Sequence, residues 1–381
     1  MSAIDQARMS AIDQAHPDLM PGYWNAANYL TNGHQSDSAL LVLNERYLVQ
    51  QFVARGGMAM IYRGLDLQKN CIVALKILHE TNTTPSMYAG YFRQEASITS
   101  LLHHPHIVQA YDRGQYHDLS FIVLEFIDGK NLYQEMQLQH VLPVKRALTI
   151  AYAVALALGA AHDCKIVHQD VKPLNIMLGQ NGDIKLIDFG IAKRYQEVYE
   201  SAYDDKDLVL GTPLYLAPEQ AQRFLVSPAT DVYALGVVMY EMLLGRRPFL
   251  SKVPEVVAAQ HVWTRPPAPS QLCPTISLAL EAILLRCLEK EPEKRFQHGR
   301  ELAQALLVQL EDPAVDEYSL LPQIEEKGAS GYDCDDDLTI TPTSPETTAG
   351  VPLHIALQII TGMCGFILLV ALSIYLLLHI L

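Results

Sequence analysis

Short apolar runs broken by Gly, Asp and Asn occupy residues 45–126, and longer runs with helical spacing take over from Val144. Residues 47–53, 60–63, 72–78 and 121–126 are rich in β-branched and aromatic side chains, which predicts the strands of a small sheet. One helical stretch, 86–102, interrupts them. Apolar positions then recur every three to four residues over 144–162, 231–244, 278–288 and 299–310, which predicts helices. A β-rich first part followed by an α-rich second part implies an α+β, two-lobed molecule with a cleft between its lobes.

The ends have a different texture. Residues 1–44 hold the near-duplicate Met1-Ser2-Ala3-Ile4-Asp5-Gln6-Ala7 and Met9-Ser10-Ala11-Ile12-Asp13-Gln14-Ala15, then a polar stretch around Asn32-Gly33-His34. One short repeated unit cannot build a stacked core. A poorly ordered leader is expected there, with Met9 as an alternative start. Residues 311–350 are acidic, then Thr/Pro-rich, and carry too little apolar surface to offset the entropy of ordering. They are expected to form a flexible linker. Residues 355–381 are uncharged over 27 positions. As a helix rising about 1.5 Å per residue, that stretch exceeds the roughly 30 Å hydrocarbon core of a bilayer. A tilted transmembrane helix is expected.

Composition narrows the functional classes. Half of the 381 residues are hydrophobic, enough for a sizeable core without staples. Cys71, Cys164, Cys273, Cys287, Cys334 and Cys364 are scattered without a C-x-x-C pair, and no apolar signal segment opens the chain. A reducing, cytoplasmic setting is expected for the soluble part, without structural zinc. The formal charge of −14 is concentrated in residues 311–350, where eleven acidic residues face the single Lys327. The folded part is therefore near balance. No basic stripe points to nucleic acid, and the acidic excess opposes contact with anionic lipid heads. No Lys or Arg flanks the apolar stretch, so its orientation is inferred from the missing export signal rather than from charge.

Candidate chemistry lies in between. Ala54-Arg55-Gly56-Gly57-Met58-Ala59-Met60-Ile61-Tyr62 joins two strands, and Val73-Ala74-Leu75-Lys76 sets a lysine in an apolar one. Phe92-Arg93-Gln94-Glu95-Ala96 follows on a helix, ahead of His104-Pro105-His106-Ile107-Val108. The most specific signal is His168-Gln169-Asp170-Val171-Lys172-Pro173-Leu174-Asn175 followed by Asp188-Phe189-Gly190. Gly211-Thr212-Pro213, Ala217-Pro218-Glu219, Asp231-Val232-Tyr233-Ala234-Leu235-Gly236 and Arg295 come after it. In this order the motifs resemble those of the bacterial eukaryotic-like (Hanks-type) serine/threonine protein kinase family, and the resemblance covers residues 45–310.

Phosphoryl transfer from ATP needs a backbone cover over the phosphates, a cation on them, oxygen ligands for Mg²⁺ and a carboxylate beside the acceptor. The resemblance implies nucleotide contact at Val53, Ala54, Arg55, Gly56, Gly57, Met58, Ala59, Met60 and Ile61. Lys76 would bridge the α- and β-phosphates, with Glu95 as its ion-pair partner. In Leu124-Glu125-Phe126-Ile127, backbone groups of Glu125 and Ile127 would meet the adenine, with Leu124 at the back of the pocket. Asp170 would accept or orient the acceptor proton. Lys172 would reach the γ-phosphate, which points to serine or threonine acceptors. Asn175 and Asp188 would hold Mg²⁺. Thr212 would sit where a peptide docks, Asp231 would brace the catalytic loop, and Glu219 would pair with Arg295. The cofactors implied are ATP and Mg²⁺. The partners implied are protein substrates with Ser/Thr acceptors, and the kinase domain would be a cytoplasmic one held at the membrane by the single C-terminal span.

Two departures from the family pattern carry information. Where G-x-G-x-x-G is usual, the chain has Ala54, Gly56 and Ala59, so a Cβ flanks the central glycine and a stiffer or higher lid is expected. Where H-R-D is usual, Gln169 removes the main cation for an activation-loop phosphate. Residues 191–210 also lack threonine and carry Ser201, Asp204, Asp205 and Asp207. Activity is therefore expected not to need phosphorylation there. The alternative to an active kinase, one that self-phosphorylates on its Thr/Ser-rich linker, is a nucleotide-binding pseudokinase scaffold at the membrane. The peptide-docking character of 211–219 speaks against a small-molecule phosphotransferase. With the span closing the chain, signals are expected from cytoplasmic partners, lipid or clustering.

Overall fold

The computed structural model describes residues 41–56, 59–79, 86–189, 193–194 and 213–312. The chain divides into two compact units, Met1–Gln323 and Ile324–Leu381. Every described residue belongs to the first. The expected leader up to residue 40, the linker from 313 and the membrane span 355–381 lie outside the described residues.

The smaller lobe is one antiparallel sheet of β1 (Val42–Leu43), β2 (Tyr47–Arg55), β3 (Met60–Asp66), β4 (Cys71–His79), β5 (Ala110–Tyr116) and β6 (Leu119–Glu125). Their spatial order is β1-β2-β3-β4-β6-β5. Because β1 pairs with β2, the ordered fold begins before the expected domain start at residue 45. Strand β5 gives no sequence signal, since its Asp112, Arg113 and Tyr111 are exposed at the sheet edge.

Successive side chains of a strand point to opposite faces. On β4, Val73, Leu75 and Ile77 enter one layer with Tyr47, Tyr62, Phe121 and Val123. Leu78 faces the other way and packs with Ala59, Ile122 and the Phe92 and Ala96 side chains of α1 (Ser86–Thr99). Lys76 shares that second face by strand periodicity, which directs it toward α1.

The larger lobe opens with β7 (Gly129–Asn131), α2 (Leu132–Gln139) and α3 (Val144–Asp163), then β8 (Ile166–Val167), β9 (Ile176–Gly179), β10 (Ile184–Leu186) and β11 (Lys193–Arg194). Helices α4 (Pro218–Ala221), α5 (Pro228–Leu244), α6 (Pro254–Trp263), α7 (Pro269–Leu272), α8 (Leu278–Cys287) and α9 (Gly299–Leu310) complete it. Helix α5 begins before the expected residue 231, because Ser227 precedes Pro228 at the first helical position and its N–H donates to Thr230 Oγ1 at 3.0 Å. It ends at Gly245, whose φ of 66° and N–H bond to the Glu241 carbonyl form a left-handed cap. Apolar on every side, α5 is the buried axis of the lobe.

Among the described residues one helix, α3, is long and apolar enough to cross a membrane, with 20 residues and mean hydropathy 1.5. Its burial within the core formed with α5 and α9 identifies it as a core helix. Helices α3 and α9 approach through Gly159 and Gly299. A Cβ on Gly299 would lie 2.5 Å from both the Ala155 carbonyl oxygen and the Gly159 nitrogen. Overpacking of this kind costs about 1–3 kcal/mol. Gly299→Ala is therefore expected to lower urea-unfolding stability by that amount. Gly90→Ala on α1, where a Cβ meets nothing within 4 Å, should instead stabilise by about 0.5–1 kcal/mol.

Candidate active site

Lys76 Nζ donates to both carboxylate oxygens of Glu95, at 2.6 and 2.7 Å, and to Asp188 Oδ1 at 3.1 Å. The Lys76 and Glu95 side chains are 13% and 7% exposed, so deleting either would strand a nearly dry charge. Burial works against the Lys76 ammonium, but Glu95 and then Asp188 outweigh it and hold its pKa above the usual lysine value. Asp188 is more open than its partners, with 43% of its side chain exposed.

Asp188 has a φ of 64°, a left-handed conformation that a non-glycine residue keeps only when its surroundings impose it. The restraints are visible. Leu186 N–H donates to the His106 carbonyl and Ile187 N–H to the Asn175 carbonyl, both at 2.9 Å. His168 Nε2–H donates to the Ile187 carbonyl at 3.1 Å, and the His168 ring stacks at a tilt on Phe189, 4.6 Å between centroids. Phe189 is fully buried.

The loop before β9 is pinned from beneath by Asp231 of α5. Its buried carboxylate accepts from His168 N–H at 2.9 Å, Gln169 N–H at 2.8 Å and His162 Nε2–H at 2.8 Å. Gly299 N–H donates to His162 Nδ1 at 3.2 Å, which leaves Nε2–H to face Asp231. Gln169 is left-handed, with a φ of 67°, and its carbonyl accepts from Gln220 Nε2 at 2.9 Å. The loop thereby presents Asp170 beside Asn175 and Lys172. Asn175 Nδ2 donates to the Asp170 carbonyl at 2.8 Å and to its Oδ2 at 3.1 Å. Lys172 Nζ lies 3.0 Å from the same Oδ2.

Glu219 and Arg295 make a bidentate pair with both contacts at 2.8 Å. Arg295 is completely buried and also donates to the carbonyls of Glu289, Ala229 and Lys290. Thr230 Oγ1 donates to Glu219 at 2.7 Å. This network fixes α4 against α5, and with it the C-terminal end of the 213–219 segment.

The glycine-containing loop is placed in part. Gly57 and Met58 lie outside the described residues, as do Gly190, residues 195–212 and with them Thr212. Ala54 and Arg55 pair with Ile61 and Met60, and the register shift between Phe52 and Ala54 makes Val53 an exposed bulge. Gly56 N–H donates to the Ala59 carbonyl at 2.8 Å. Neither Ala54 nor Ala59 has a positive φ, so alanine meets no left-handed backbone at either position. Ala59 is instead a packing residue buried against Leu78 and Phe92. At the far end of the cleft, Glu125 N–H donates to the Gln109 carbonyl at 2.8 Å, and Leu124 and Ile127 are half-buried.

His162, Gln220 and Lys185, unlike the motif residue His168, hold the site together without a sequence signal. Each is defined by a partner distant in the chain. A buried histidine inside the apolar run of α3 was the one local hint, and it carries no information about Asp231.

A two-lobed molecule with a sheet lysine paired to a helix carboxylate, facing a pinned Asp/Asn loop and a left-handed Asp, is a protein kinase fold. The chain belongs to the protein kinase family, since residues 47–307 match the description "Protein kinase domain". It is similar to the serine/threonine-protein kinase PknB of Mycolicibacterium smegmatis, at 36% identity over 288 residues, covering 74% of this chain and 46% of that protein. PknB of Mycobacterium tuberculosis is 37% identical over 265 residues, covering 68% of this chain and 42% of the relative. PrkC of Bacillus subtilis is 34% identical over 260 residues, covering 68% and 40%. The chain thus spans less than half the length of the curated relatives it matches.

Packing under the 213–215 turn makes stability sensitive to acid. His261 Nδ1 accepts from Tyr233 at 2.9 Å and its Nε2–H donates to the Leu214 carbonyl at 3.2 Å. Burial, then the nearby Lys290 ammonium, push its pKa down to about 4. The unfolded chain takes up this proton first, near the ordinary histidine value of about 6.5. Stability should therefore fall as pH drops from about 6.5 to 4, by up to about 3 kcal/mol for this one group. Urea titrations across that range should show a shallower slope for His261→Gln than for the wild type.

Proposed function

We propose that this chain is a protein serine/threonine kinase that transfers the γ-phosphoryl group of ATP to serine or threonine hydroxyls of protein substrates, with Mg²⁺ as cofactor. The observation that carries the reading is convergence. Lys76 and Asp188, 112 positions apart, meet at 3.1 Å, and Ile187, next to Asp188, is tied by its N–H to Asn175, the partner of Asp170.

The donor set suits Mg²⁺. With Asn175 Nδ2 given to Asp170, its carbonyl oxygen is left as an oxygen donor, and Asp188 adds a carboxylate. One amide and one carboxylate fit a hard cation that is shared with substrate phosphates rather than caged by protein alone. When bound, Mg·ATP supplies the phosphoryl group and the metal that offsets its charge. Lys76, held by Glu95, places a fixed positive charge over the nucleotide phosphates. Asp170, oriented by Asn175, accepts the proton of the acceptor hydroxyl. Lys172 sits close enough to Asp170 to neutralise charge building up between acceptor and γ-phosphate. Val53–Ile61 would cover the phosphates, and backbone groups of Glu125 and Ile127 would meet the adenine. The complete set Lys76, Glu95, Asp170, Asn175 and Asp188 favours an enzyme over a nucleotide-binding scaffold.

The same reading places residues 45–310 in the cytoplasm as the catalytic domain, joined by an acidic linker over 311–350 to a single membrane span at 355–381. Its support is the run of 27 uncharged residues. Self-phosphorylation on the linker belongs to this proposal.

Transfer of labelled phosphate from ATP to a generic basic protein tests the activity. Asp170→Asn should lower kcat by about 10²–10⁴, and Lys76→Ala should lower kcat/KM comparably. Wild-type signal no higher than that of both variants would sink the proposal. Because Gln169 stands where an arginine would clamp a loop phosphate, Ser201→Ala is expected to keep kcat within about twofold of wild type. A loss beyond tenfold, with a mapped phosphate on that residue, would contradict it.

A further inference from the structure

Glu125 has a side-chain role separate from its backbone. As the last residue of β6 it closes the sheet of the smaller lobe, and its carboxylate crosses to β10 of the larger one. Lys185 Nζ lies 2.8 Å from Oε1 and 2.9 Å from Oε2 of Glu125. The two side chains are 12% and 23% exposed, respectively. A pair this sheltered is screened far less than a surface pair.

The pair sits within a continuous strip. Gln109 N–H donates to Glu125 Oε2 at 3.2 Å, and Glu125 N–H returns to the Gln109 carbonyl at 2.8 Å. Val108 N–H donates to the Leu186 carbonyl at 3.0 Å, Leu186 N–H to the His106 carbonyl at 2.9 Å, and His106 Nδ1–H to the Ile184 carbonyl at 2.9 Å. Residues 106–109 are therefore stitched to β10 on one side and to the end of β6 on the other. Lys185 spans the strip directly, three positions ahead of Asp188.

We propose that Lys185 and Glu125 form an interlobe clamp that positions the strand edge serving adenine relative to Asp188, and so sets nucleotide affinity. This rests on the kinase reading. Neither side chain touches the reacting atoms, so both are positioning residues and their effect belongs in ATP binding rather than in the chemical step. Hydrogen bonds to a charged partner contribute about 1.5–3 kcal/mol, which corresponds to roughly ten- to a hundredfold in a binding constant.

The test is a double-mutant cycle on the full chain with Lys185→Met, Glu125→Gln and both together, alongside the reversal Lys185→Glu/Glu125→Lys. Each single variant is expected to raise KM and the calorimetric Kd for Mg·ATP about tenfold, and Lys185→Met to keep kcat within about threefold of wild type. The double variant should lose little more than either single one, and the reversal should regain most of the affinity. Amide hydrogen exchange over 106–109 and 121–127 should quicken in the single variants, a readout that does not depend on catalysis. Wild-type ATP affinity and unchanged exchange in folded single variants would overturn the clamp, as would purely additive losses with no recovery on reversal. Should Lys185→Met fail to fold, Lys185→Arg, which keeps the charge, is expected to retain wild-type affinity and Lys185→Gln to lose it. Equal affinity in Arg and Gln forms would likewise overturn the proposal. Failure of the kinase reading would show separately, as no phosphoryl transfer by the wild type.

Discussion

A single buried carboxylate underlies the arrangement of the larger lobe. Asp231 accepts from His162, His168 and Gln169 at once, inside a helix that otherwise buries almost nothing but apolar surface. A charge taken so far from water is tolerable only with its hydrogen bonds filled. The groups that fill them are two consecutive backbone N–H donors of the loop carrying Asp170, together with a histidine that is itself held by α9. The requirement to satisfy Asp231 therefore forces that loop into a left-handed turn at Gln169. Asp170 emerges from the turn with little conformational freedom, which suits the proton-acceptor role proposed for it.

Among the described residues the lobes are linked by charge at two places, and the links differ in kind. Lys76 and Asp188 meet across the cleft, where Asp188 is partly open to solvent and to a ligand. Glu125 and Lys185 meet behind it, beside the strip of backbone bonds formed by residues 106–109. The first contact is one that nucleotide and metal would share, while the second belongs to the protein alone. A sheltered ion pair thus joins the lobes at the rear of the cleft, and a more open one joins them at the front.

Departures from the expected family pattern gain physical content from the fold. Ala59 stands where a glycine is usual, yet its methyl group is buried against Phe92 and Leu78, so the loop joins the packing between sheet and α1. Gln169 stands where an arginine is usual, and its main chain is engaged from both sides, by Asp231 on its nitrogen and Gln220 on its carbonyl. The turn geometry is met by backbone bonds to neighbours, which do not require the arginine side chain.

Periodicity alone identified the two-part architecture, because strand and helix spacing of apolar residues is a local property of the chain. It also placed Lys76 on a strand and Glu95 on the following helix. Motif order pointed to Asp170, Asn175 and Asp188. The edge strand β5 was not legible, since an exposed, charged strand lacks the alternation that burial imposes. Nor were His162, Gln220 and Lys185, each a single polar residue whose meaning lies in a partner far away in the chain. Of the expected helix starts only that of α5 moved, from 231 to 228, where Ser227 and Pro228, and not the apolar pattern, set the boundary. What the sequence determined by itself was the identity of the candidate reactive side chains and the elements that bear them. What only tertiary structure decided was which of them touch, because hydrogen bonds and ion pairs depend on distances of about 3 Å that no linear spacing encodes.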